Sequence, residues 1–157
     1  MAKATPATRA LDKAGIPYSL HAYAYDPDAQ RIGLQAAEAL GVSPDRVLKT
    51  LMAAVDGKPV CLLVASDREV SMKRVAAAFG GKSAAMLKPP EAERLTGYHV
   101  GGISPLGQKR AVPTLIDAGS LDTAEEIHVN GGGRGLQIRL RPADLVTALQ
   151  ARTAPLT

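Results

Sequence analysis

The chain has 157 residues, 46% of them hydrophobic and only 3% aromatic, and carries a net charge of +4 with a pI of about 9.4. This excludes a disordered segment and allows one domain with a core of its own. One Phe and no Trp argue against a nucleic-acid platform of stacked rings. The charge permits an anionic partner such as RNA without demanding one. The single cysteine, Cys61, rules out an internal disulfide or a multi-cysteine zinc site and reads as a small core residue. The N-terminus lacks the apolar run of a signal peptide, and no window has the length of a membrane span. A soluble, cytoplasmic protein without a membrane partner is expected.

In chain order, Thr5 and Pro6 open a short helix, with Leu11 and Ala14 on its apolar side and Gly15 at its end. "YSLHAYAY" (18–25) alternates like a strand, "DPDAQRIG" is a loop, and "LQAAEALG" is a helix stopped by Gly41. Two apolar runs, "RVLKTLMAAV" and "PVCLLVAS", flank an Asp-Gly step and predict a hairpin. "SMKRVAAAFG" is a helix, "SAAML" a short strand and "PPEAERLTG" a helix with Pro at its start. A glycine-rich loop, "GYHVGGISPLGQKR", follows. "VPTLIDAG", "EIHVN" and "LQIRL" read as strands, with the tight loop "GGGRG" between the last two, and "RPADLVTALQA" closes the chain as a helix. Helices and strands interleave without a strict βαβ rhythm, and one pair is a hairpin. The fold class is α/β or α+β with a mixed or antiparallel sheet, in one domain over residues 1–157.

Three features stand out. Lys49 interrupts an apolar strand, where an unpaired ammonium loses hydration. It is either an edge-strand lysine reaching water, which the pattern alone favours, or a lysine aimed into a pocket to hold a phosphate or carboxylate. In "GGISPLG", Gly101 and Gly102 let backbone amides approach a ligand, and Pro105 holds Ser104 extended. That suits a carbonyl or an oxyanion, or simply a loop that turns corners. "VNGGGRGLQI" is a second glycine corner, with Asn130 and Arg134 nearby; it suggests a shared pocket or a plain hairpin loop. His21, His99 and His128 have no ligand spacing, so no metal is expected, and no serine sits in a nucleophile motif. Chemistry here would rest on positioning and backbone amides.

"HAYAYD", "VLKTLMA", "GYHVGGISPLGQKR", "TLIDAG" and "VNGGGRGLQI", in this order and spacing, resemble the YbaK family of bacterial Cys-tRNA(Pro) deacylases, within the wider group of prolyl-tRNA synthetase editing domains. The resemblance covers nearly the whole chain. It implies a compact fold with a mixed, barrel-like sheet surrounded by helices. It also implies trans-editing: hydrolysis of the ester of mischarged tRNA, chiefly Cys-tRNA(Pro), with no cofactor. The partners it implies are the aminoacylated 3′ end of tRNA and prolyl-tRNA synthetase. Lys49 matches the family's functional lysine, Thr50 follows it, Tyr23 matches a pocket tyrosine, and Gly101, Gly102, Ile103 and Ser104 match the pocket loop. The family suggests substrate-assisted chemistry, in which the cysteine's own thiol attacks the ester. Lys49 then positions the substrate, and amides near Gly101 and Gly102 steady the oxyanion. Two positions depart from the pattern: Gln137 stands where the family carries Asp, and Asn130 where Ser is expected. Both belong to the substrate-binding set, and they bear on which amino acid is removed. Lys109 and Arg110, just after the loop, are expected to reach tRNA phosphates. The alternative is a non-catalytic module that binds tRNA or prolyl-tRNA synthetase, motivated by Gln137; a pocket for a free nucleotide or amino acid is a third reading.

Overall fold

The computed structural model describes residues 4–28, 32–122 and 125–157. Thr5 caps the first helix, α1 (Pro6–Ala14), in a reciprocal capping box with Thr8, and Gly15 ends it in the left-handed conformation. Its buried side is Ala7, Thr8 and Leu11, whereas Ala14 faces solvent. Strand β1 is shorter than the alternation predicts, Ser19–Ala22, although the Tyr23 N–H still donates to Gly135 O. Helix α2 (Ile32–Leu40) begins inside the stretch expected as a loop; residues 29–31 of that stretch lie outside the described residues. A 3-10 turn over Pro44–Arg46 leads into the hairpin of β2 (Leu48–Val55) and β3 (Lys58–Ala65). The hairpin turns on Asp56 and Gly57, both at positive φ, which is why Asp-Gly was so clear a signal.

Then come α3 (Met72–Ala78), capped by Ser71, β4 (Ala84–Met86) and α4 (Pro89–Thr96). The glycine-rich loop leads to β5 (Thr114–Asp117) and a 3-10 turn over Ala118–Leu121. Strands β6 (Ile127–Asn130) and β7 (Leu136–Leu140) precede α5 (Pro142–Leu149) and a last strand, β8 (Arg152–Ala154).

The strands form a mixed five-stranded sheet in the order β4-β2-β3-β5-β8 and an antiparallel three-stranded sheet in the order β1-β7-β6. Helices and sheets make a compact α+β fold. The barrel-like sheet the resemblance implies is not closed: the two sheets meet at one bridge, Val47 with His128, and remain separate elsewhere. The principal core lies against the inner face of the small sheet, where Val129, Ile138 and Leu140 pack with Leu11, Leu48, Leu63 and Leu145. A second core, including Leu62, Val64, Val75 and Leu156, lies against α3 and the C-terminal segment. Each such Leu or Ile contributes about 1.5–3 kcal/mol by leaving water. Among the described residues no helix is long and apolar enough to cross a membrane.

Candidate functional site

Strand β2 has two neighbours, but they do not cover it evenly. Strand β4 pairs only with Ala53–Val55, and the bridge to β6 is at Val47. The stretch between them borders a cavity of about 440 Å³. Strand β2 is interior to the sheet at Ala53–Val55, but at Lys49 only β3 pairs with it and the other flank is open beside the cavity. Its side chain is 21% exposed, and its Nζ is 3.8 Å from Glu69 Oε1, on a carboxylate 78% exposed to solvent. A long contact to so wet a carboxylate holds the ammonium weakly.

The cavity brings together Lys49, Thr50, Gly101, Ile103, Asn130 and Gln137 from four segments distant in sequence. Leu51, Met52, Leu87 and Ala92 supply an apolar wall. Two polar oxygens on its lining residues, Thr50 Oγ1 and Gln137 Oε1, are buried without a hydrogen-bond partner among the described residues. Such groups are costly to leave unmade, and both oxygens lie beneath the surface of the lining, out of reach of solvent. Behind them lies Tyr23, off the cavity wall, packed with Ala36, Ala37 and Val47. Burial, more than the neighbouring Tyr25, raises its phenol above the usual range, and the nearby Gln137 amide opposes this. The Tyr23 hydroxyl makes no hydrogen bond of good geometry with a described residue.

The two glycine-rich loops are built against each other. Asn130 Oδ1 accepts the N–H groups of Gly132 (2.7 Å) and Gly133 (3.2 Å), while its Nδ2 donates to Gly101 O (3.3 Å). Its side chain is thus a brace between the loops as well as part of the cavity wall. A Cβ on Gly102 would lie 2.9 Å from the backbone of Gly133 and Arg134, and one on Gly107 would lie 2.4 Å from Pro6 O. These glycines permit protein backbones to approach each other, which local spacing did not reveal. The Gly102 N–H is already committed to His99 O at 2.8 Å, so it is not free for an oxyanion. The N–H groups of Gly101 and Ile103 make no hydrogen bond to a described residue. Ser104 is fully buried; its Oγ accepts the Leu106 N–H, and it does not reach the cavity.

Lys109 and Arg110 are exposed and line a neighbouring groove with Arg94 and Glu91. That groove shares Leu87 with the cavity. A larger hollow of about 800 Å³ lies beside the start of α5, lined by Tyr18, Leu121 and Arg141 among others, and contains none of the expected site residues. Cys61 is buried, and the loss of hydration pushes its thiol up to about 12, so it is inert. Sequence reasoning missed Glu69, Met86 and Val100 at the cavity. The last two are exposed large hydrophobic residues, 48% and 41%; Val100 lies within the glycine-rich loop but is passed over for its glycines, and no local motif marks Glu69 or Met86.

An open-sided α+β fold with a lysine and two interlocked glycine loops around one cavity defines a class. The chain belongs to the family of aminoacyl-tRNA editing domains, which includes the YbaK proteins, with residues 26–148 matching the family. Within that family it is 32% identical over 154 residues to EbsC of Enterococcus faecalis, a candidate Cys-tRNA(Pro)/Cys-tRNA(Cys) deacylase; the match covers 98% of this chain and 93% of that protein. It is also 32% identical over 90 residues to the proline–tRNA ligase of Acidithiobacillus ferrooxidans, covering 57% of this chain and 16% of the ligase. The crystal structure of a candidate trans-editing enzyme for prolyl-tRNA synthetase superposes with a TM-score of 0.82 at 23% identity, covering 99% of both chains, which establishes the shared fold.

Proposed function

We propose that the protein is a trans-editing aminoacyl-tRNA deacylase that hydrolyses mischarged tRNA, with Cys-tRNA(Pro) as its principal substrate. The observation that carries this reading is the convergence of Lys49, Thr50, Gly101, Ile103 and Gln137 on one small, largely apolar cavity. No histidine or cysteine lines it, and the Ser66 hydroxyl at its edge donates to Pro44 O at 2.8 Å. With no histidine or cysteine among the lining residues and the serine hydroxyl committed, the lining favours a nucleophile brought by the substrate.

On this reading the aminoacyl group enters the cavity and the terminal ribose stays at the mouth. The cysteine thiol loses its proton and its sulfur attacks the ester carbonyl carbon. The carbon–oxygen bond to the ribose breaks, the ribose oxygen takes up a proton, and a thiolactone leaves for hydrolysis in water. Lys49 holds the ester and its developing negative charge in a low-dielectric setting where a fixed cation acts strongly. The N–H groups of Gly101 and Ile103 assist, and Thr50 and Gln137 line the cavity where the aminoacyl group sits. Tyr23 supports Gln137 from behind, and Asn130 and Gly102 keep the loop in place. The apolar wall selects by size, which alone discriminates modestly between small side chains. Lys109 and Arg110 take phosphates of the tRNA, and prolyl-tRNA synthetase is the fitting partner to deliver it.

The test is deacylation of Cys-tRNA(Pro), Ala-tRNA(Pro) and Pro-tRNA(Pro) by wild type and Lys49→Ala. Wild type should release cysteine fastest, and the variant should lose about a hundredfold or more in kcat/KM, as expected for a group acting on transition-state charge. Intact Cys-tRNA(Pro) with tight tRNA binding would instead identify a non-catalytic binding module.

A further inference from the structure

Arg134 lies outside every role assigned so far; it does not line the cavity itself but is bonded to Val100, which does. Its Nε donates to Val100 O at 3.0 Å, and its guanidinium carbon lies 5.8 Å from the centre of the Tyr25 ring. Nε is also 3.4 Å from the position of a Cβ on Gly101, and Tyr25 Oη is 2.6 Å from it. Val100 and Gly101 both line the cavity, so the arginine grips its rim. The side chain is exposed, and its two terminal nitrogens have no hydrogen bond or ion pair with a described residue. The carboxylate nearest in the bonding pattern, Glu93, is occupied with the Val100 N–H at 2.9 Å and faces His99. An arginine fixed at Nε and by a ring, with its outer nitrogens open, presents a preorganised fork that suits a phosphate better than a mobile lysine does.

The geometry points to Arg134 as the anchor for the last phosphodiester of the tRNA 3′ end, the one joining the final two nucleotides. This rests on the proposed reading, in which the aminoacyl ester sits in the cavity and its ribose at the mouth. The first phosphate the chain can present is then at the rim, beside Val100 and Gly101. Arg134 is a binding residue here. It contributes to holding the substrate, while Lys49 acts at the ester.

The experiment uses the whole protein and an uncharged acceptor-stem minihelix ending in CCA, with binding followed by fluorescence anisotropy at several salt concentrations. A second RNA carries a neutral methylphosphonate at the last phosphodiester. Arg134→Gln should weaken binding of the normal RNA about tenfold and lower the slope of log affinity against log salt by about one. The methylphosphonate should weaken wild type similarly, and the two changes together should cost little more than either alone. Arg134→Lys should keep the salt slope and lose part of the affinity, which also covers the case in which the glutamine variant folds poorly. Additive losses, or Arg134→Gln binding like wild type, would overturn the assignment. Deacylation of Cys-tRNA(Pro) by wild type is measured alongside. If it is absent while the coupling holds, the enzyme reading fails and the anchor stands; if it is present without coupling, only the anchor fails.

Discussion

At neutral pH the imidazole of His128 is uncharged. Loss of hydration, then the His21 and Arg139 charges, push it down to about 4. Its ring meets that of His21 edge-on, with centroids 5.6 Å apart, and its Nδ1 is buried without a hydrogen-bond partner among the described residues. In the unfolded chain the same group titrates near 6.5. Between these values the unfolded state binds the proton and the native state does not, so stability from this group is complete above about pH 6.5 and falls as the pH drops towards about 4. Urea midpoints between pH 7.5 and 4.5 should show that decline, and His128→Gln should flatten it. A variant with the same slope would assign the decline to other groups. Nothing in "EIHVN" foretold this, because a histidine in a half-buried strand reads the same whichever face it takes. Lys49 was the opposite case: an ammonium in so apolar a strand was conspicuous at once, though its surroundings were not, since β4 stops short of it.

Elements differ in how plainly they were written. The β2–β3 hairpin announced itself because both its turn residues and its flanking runs are local. So did α1, α4 and α5, each opened by a proline. Strand β8 went unread because three residues in parallel pairing with β5 leave no alternation to see. The glycine loops were visible, but their purpose depended on which distant segment each glycine meets. Gly102 illustrates this: its φ is not positive, so its backbone tolerates a side chain, and only the Gly133–Arg134 backbone forbids one. Gly102→Ala should therefore destabilise by about 1–3 kcal/mol, the usual scale for overpacking. It should also raise KM by parting the loops. Chemical denaturation and steady-state kinetics read the two effects separately. A variant with unchanged stability would show that the loops shift freely.

On the scale of the molecule, the basic residues contribute through their distribution. The net charge of +4 is too small to draw RNA from a distance, but Lys109, Arg110 and Arg94 share a groove that adjoins the cavity at Leu87. Reversing the charge at Lys109 and Arg110 together should lower tRNA affinity and reduce the salt slope by about two. An unchanged slope would remove them from the tRNA path. Of the residues the resemblance names, Lys49, Thr50, Gly101, Ile103, Asn130 and Gln137 border the cavity, whereas Ser104 and Tyr23 lie off its wall and the Gly102 N–H is taken by His99 O. The first helix has a part in this that the family match leaves out. Matching begins at residue 26, after α1. Yet Thr5 Oγ1 donates to Gly131 O at 2.6 Å, and Pro6 O is what Gly107 must clear. The opening turn of α1 is therefore a keystone for an arch built far along the chain: a relative that replaced this segment would have to find another way to lock its two loops together.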